Sequence, residues 1–183
     1  AQTAVLNFAA DSDAGPAVWM SGGGLAADSA GNVYLLTANG AFETTLNADG
    51  SPQNGDYGNS FLKLSTAGGG RSVADYFTPS NEVAESAADE DLGSGGVVLL
   101  PDMTDGSGVV RHLMIGAGKD GKLFVINRDS MGKFSPSANA GWRQKVAAAK
   151  ARTRVRFMMN RPGWCRRPLP CRKRPCRCRC CGP

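Results

Sequence analysis

The chain has 183 residues, with 21 Lys and Arg against 16 Asp and Glu. That length fits one domain of ordinary size, and no apolar run reaches the ~18 residues of a membrane-spanning helix. Charge is divided along the chain. Before Arg143 stand seven basic and sixteen acidic residues, a net of −9; from Arg143 onward stand fourteen basic residues and no acid, a net of +14. The overall pI near 9.0 therefore describes neither part and does not by itself point to nucleic acid. All six cysteines lie between Cys165 and Cys181, so the body has no disulfide or thiolate metal site, and its one histidine, His112, leaves few options for zinc or a Cys–His nucleophile. The chain opens at Ala1 with no Met and no charged-then-apolar leader, which reads as a mature form or an internal fragment.

The 24 glycines and frequent polar clusters predict short strands joined by tight turns. Residues 2–8 read as a strand with no upstream element to pair with. The flexible Ser21–Gly24 follows, then a strand at Leu25–Asp28, a turn at Ser29–Asn32, and the best strand of the first half, Asn32–Asn39 (NVYLLTAN), rich in β-branched, aromatic and Leu residues. Residues 40–58 read as a long loop. Strands are expected at Ser60–Ser65 and Ser72–Thr78, around a glycine-rich turn at Thr66–Arg71. Residues 80–92 read as an acidic connection with room for one helical turn. Strands follow at Gly96–Pro101, Val109–Gly116 and Lys122–Asn127, with a turn at Asp102–Gly108 and a hairpin loop over Ala117–Gly121 whose Asp-Gly pair suits positive φ. Four strands make one set and three a second, and Ser60–Leu64 and Lys122–Ile126 each open an apolar strand followed by a Gly-containing turn. Repeated four-stranded antiparallel sheets are how a β-propeller is built; the expected fold is all-β, with about two antiparallel four-stranded blades of a partial propeller over residues 1–142.

The run Gly118–Phe134 (GKDGKLFVINRDSMGKF) resembles the repeat of pyrroloquinoline-quinone (PQQ)-type β-propellers, where a Gly, an aromatic and apolar strand, an Asp or Asn and a second Gly mark the third strand and its turn. Trp19–Phe42 (WMSGGGLAADSAGNVYLLTANGAF) is similar to bacterial PQQ-like repeat proteins. The resemblance covers about residues 1–140. It implies the propeller fold and, for location, the periplasm or the outside of the cell. It leaves function open, because such propellers include quinoprotein dehydrogenases and cofactor-free scaffolds.

A quinoprotein enzyme would imply a Ca²⁺ site, a catalytic Asp, a stacking Trp and adjacent cysteines, and that set cannot be placed here. Trp19 is read as inter-blade packing. Asp28, Asp120 and Asp129 are read as turn residues capping backbone amides, His112 as a satisfied sheet residue, and Glu82–Asp91 as a solvated acidic loop, with Ca²⁺ ligation the competing use of its oxygens. Ser21–Gly24 lacks the helix and Lys of a P-loop and reads as close backbone packing. No residue is assigned as catalytic or metal-ligating, and no cofactor-binding set is assigned.

From Arg143 the character changes. Arg143–Met159 has the composition of a basic helix, and Arg161–Pro183 mixes five prolines and six cysteines with arginine. Three readings stand: an arm for phosphates or anionic surfaces, a disulfide-rich basic peptide, or a non-native tail read in a wrong frame. The abrupt change where a fourth strand of the second set is due favours the last. The leading expectation for the chain is a binding or scaffold module whose partners are the remaining blades of a parent propeller. The alternative is part of a PQQ- and Ca²⁺-dependent dehydrogenase of alcohols or sugars; nucleic-acid binding by the tail ranks below both.

Overall fold

A computed structural model of the chain describes residues 2, 4–10 and 15–137, all within one compact unit. The basic tail and the expectations placed on it lie outside the described residues. The described part is built mainly from strands, with one short α-helix.

The first sheet is a meander of β1 (Ala26–Ala27), β2 (Val33–Leu36), β3 (Phe61–Ser65) and β4 (Ser72–Thr78), each antiparallel to the next. These are the four strands of the first expected set. In register, Leu36 faces Phe61 and Phe61 faces Phe77, while Leu35 faces Leu62 and Leu62 faces Tyr76. Because successive side chains point to opposite faces, this register sorts them into two layers. Both layers are buried, which explains why β2 is a continuous apolar run rather than an alternating one. A register shift between Lys63 and Leu64 bends β3 against β4.

The second half contributes β5 (Val97–Leu99), β6 (Met103–Thr104), β7 (Val110–Arg111), β8 (Leu113–Ala117) and β9 (Leu123–Asn127). β5, β8 and β9 form a three-stranded antiparallel sheet; β6 and β7 form a separate two-stranded hairpin. The β8–β9 turn places Gly121 at φ +69°, as its Asp-Gly pair predicts.

The two sheets meet through aromatic rings. The Phe124 centroid lies 5.7 Å from Phe61 and 5.8 Å from Phe77, which are 6.0 Å from each other. Gly116 makes this approach possible, since a Cβ there would stand 2.6 Å from the Phe61 ring. The opposite face of the first sheet is covered by the loop over 40–58. Bridges Phe42↔Tyr57 and Leu46↔Pro52 close this loop. Tyr57 packs edge-on against Tyr76 at 5.2 Å, and the Tyr76 hydroxyl donates to the Gly50 carbonyl at 2.7 Å.

Several expectations need correction. The described residues of 2–8 form no strand; Leu6 and Phe8 pack on the core and the Phe8 carbonyl accepts from Tyr57 N–H, but no neighbouring edge supplies a ladder. Of the expected Asp102–Gly108 turn, Met103–Thr104 form β6 and residues 105–108 make the tip of the β6–β7 hairpin, and the Val109–Gly116 strand is broken at His112. Neither sheet is a simple four-stranded unit. The second has three described strands, and β10 (Lys133–Phe134) joins the first sheet instead, running parallel to Phe77–Thr78 of β4. Phe134 thereby reaches Phe42, 4.9 Å away, and the burial of that ring on the loop-covered face accounts for the placement. The close backbone packing expected at Ser21–Gly24 lies elsewhere: Gly22 and Gly24 have open space, whereas a Cβ on Gly58 would stand 2.3 Å from the Gly40 carbonyl oxygen and one on Gly93 2.6 Å from Ala38 N.

Candidate functional site

A polar cleft of about 290 Å³ opens where the two sheets adjoin. The first sheet contributes Asp28, Asn32, Tyr34 and Lys63, and the second half contributes Asp102, His112, Arg128 and Asp129.

Asp28 ends the β1 side of the β1–β2 turn and caps it, as expected. One carboxylate oxygen accepts from Ala30 N–H at 3.0 Å and Asn32 N–H at 2.9 Å; the other accepts from Asn32 Nδ2 at 2.9 Å and the Tyr34 hydroxyl at 2.8 Å. Burial pushes the carboxyl pKa up, but these donors together outweigh it and hold the group below its ordinary range. Tyr34 is raised in turn, first by burial and then by the carboxylate it serves.

Lys63 lies directly across from Tyr34 in the β2–β3 ladder. Its ammonium donates to the Arg128 carbonyl at 3.1 Å and sits 6.0 Å from the Tyr34 ring centroid. The Arg128 guanidinium approaches the same ring to 5.9 Å. Its Nε donates to the Leu113 carbonyl at 3.3 Å and its Nη2 stands 3.9 Å from Asp102. Tyr34 is thus the hub that ties a carboxylate to two cations across the junction of the halves, with cation–π attraction adding to the hydrogen bonds.

His112 occupies the break between β7 and β8. It is satisfied, though from carboxylates of the cleft rather than from within a strand. Its Nδ1 donates to Asp129, 2.9–3.0 Å from the two carboxylate oxygens, and its Nε2 lies 3.8 Å from Asp102. With Nδ1 held by Asp129, Nε2 is the ring nitrogen that faces Asp102 across the cleft lining. With fixed donors and acceptors of both signs along one wall, the cleft can orient a small polar molecule through several hydrogen bonds at once.

The one quinone-site element that the described residues offer, a stacking Trp, is not placed at the cleft. Trp19, the available stacking ring, is 63% exposed and lies outside the cleft lining. Among the described residues no group of three or more His, Cys, Asp or Glu side chains is placed to hold a metal. Cys180 and Cys181 lie outside the described residues.

The acidic stretch is a second departure. It forms α1 (Glu82–Ala87), with Glu82 1% and Glu85 2% exposed, so it is not a solvated loop. Glu82 accepts from the Ser86 hydroxyl at 2.7 Å, and burial pushes its pKa up to about 7 against that hydrogen bond. Glu85 is raised to about 7 by burial and then by neighbouring Asp120, while Asn81 and Lys122 oppose the rise. Lys122 bridges Asp120 at 2.8 Å and Glu85 at 3.3 Å. Asp91 pairs with Lys119 and accepts from Asn39 N–H at 3.1 Å. The signal was the spacing: Glu82, Glu85 and Ser86 share one helical face at i, i+3 and i+4. Apolar patterning would turn Val83 inward, yet it is Val83 that faces solvent.

No protein-family model, no curated protein and no solved structure matches this chain.

Proposed function

We propose that this chain is part of a PQQ-like β-propeller and works as a binding and scaffold module, with the cleft at the sheet junction as its ligand site. The observation that carries the reading is that one cleft takes its polar side chains from both halves, Asp28, Tyr34 and Lys63 from one and His112, Arg128 and Asp129 from the other. Consecutive antiparallel meanders stacked through aromatic rings are also how successive propeller blades meet. The parallel β10 departs from that plan. By the same resemblance the module works in the periplasm or outside the cell, and its partners are the remaining blades.

The ligand class that suits this lining is a small hydroxylated or zwitterionic molecule, since the lining offers both carboxylates and cations. A thermal-shift screen of sugars, polyols and amino acids against the full chain tests this. A ligand that raises Tm in the wild type and fails to do so in Lys63→Ala and His112→Ala supports the binding role. Dye-linked oxidation of an alcohol or sugar after addition of PQQ and Ca²⁺ would overturn it in favour of a quinoprotein dehydrogenase.

A further inference from the structure

We propose that Glu43 and Asp56, facing each other across the base of the 40–58 loop, form a binding site for a hard divalent cation, calcium first. The site is separate from the cleft and independent of the quinoprotein reading.

The bridge between Phe42 and Tyr57 sets the geometry. In an antiparallel bridge the next residues inward, Glu43 and Asp56, stand opposite one another. The Asp56 N–H donates to Glu43 Oε2 at 3.3 Å. Only a few bonds separate that N–H from the Asp56 carboxylate, so the two acid groups share one neighbourhood.

What points to a ligand is the other oxygen of each group. Asp56 is 2% exposed, and its Oδ1 is buried with no hydrogen-bond partner; Glu43 Oε1 is buried and likewise unpartnered. Neither carboxylate takes part in an ion pair among the described residues. Lys133, the nearby cation, reaches the Asp49 carbonyl at the loop tip instead. A buried carboxylate oxygen without a donor is costly, and here two acid groups joined through the Asp56 N–H each carry one. A divalent cation meets both at once. Calcium accepts mixed sets of six to eight oxygens, so two carboxylates completed by loop carbonyls and water suffice, and its irregular geometry tolerates an uneven donor set where magnesium does not.

Tyr57 supplies the readout. Tyr57 follows Asp56 in sequence and bridges Phe42, the neighbour of Glu43, which puts its ring close to the site. The experiment uses the full chain, stripped with a chelator and held at pH 7.5. Terbium is added with tyrosine excitation, and calcium is then titrated in while Tm is followed separately. The expected result is sensitised terbium emission that calcium displaces, with a calcium-dependent rise in Tm. Both signals are lost in Asp56→Asn and in Glu43→Gln. Glu43 is only half-buried, so its variant keeps the test usable should Asp56→Asn misfold. Absence of both signals in the wild type, or their survival in both variants, overturns the proposal.

Discussion

Tyr34 shows how one side chain links stability and site. Its ring is buried in the first sheet while its hydroxyl reaches Asp28 and its faces meet Lys63 and Arg128. Tyr34→Phe keeps the ring and removes the donor to a charged acceptor, so a loss of about 1.5–3 kcal/mol is expected in urea unfolding. At the sheet contact, Phe124→Ala empties the space beside Phe61 and Phe77 and should cost about 3–5 kcal/mol. Gly116→Ala probes the same contact from the other side: its new methyl meets the Phe61 ring at 2.6 Å, so about 1–3 kcal/mol of strain is expected.

At the scale of the element, α1 carries a pH dependence. Glu82 has a folded pKa near 7 against an ordinary 4.5. Between those values the folded state holds a proton that the unfolded state has released. Stability from this group is therefore complete below about pH 4.5, falls as pH rises toward 7, and levels off above. The slope approaches about 1.4 kcal/mol per pH unit where the difference is one full proton. Glu82→Gln should remove the share of that slope that Glu82 carries and leave the share of Glu85, which is also raised to about 7, as followed by Tm between pH 4.5 and 8; an unchanged slope in the variant would place the dependence elsewhere.

Elements differed in how far their sequences revealed them. β2, β3, β4, β5 and β9 were legible because apolar and β-branched runs lay between Gly and Asp turns, and such runs form strands wherever a partner edge exists. Residues 2–8 have the composition but no edge. The 40–58 loop was legible as a loop, while its role as the cover of a sheet face rests on Phe42 and Tyr57, two aromatics within a polar stretch. Asp28 was legible as a turn cap. His112 was not, because its pairing with Asp129 depends on a strand break that local composition does not mark. The inward acids of α1 were hidden for a related reason: their partners, Lys122 and Asn81, lie on other parts of the chain or outside the helix.

For the whole molecule, the propeller reading has consequences at the sheet margins. Among the described residues β9 pairs only with β8, leaving a row of backbone groups along its far side. Unpaired edges recruit other strands, so sedimentation velocity should show concentration-dependent association of the chain. The tail offers a different check. If residues 143–183 arise from a shifted frame, the nucleotide sequence beyond codon 142 should carry a strand-and-turn pattern in another frame.

The cleft exists only if the two halves stack as described, and cross-sheet proton–proton contacts in solution by NMR test that stacking most directly. Contacts from the Phe124 ring to Phe61 and Phe77 are expected, together with backbone contacts that pair Leu35 with Leu62 and Ile115 with Val125. Intact pairing within each sheet without any contact to Phe124, or helical contacts across β2 and β3, would contradict it.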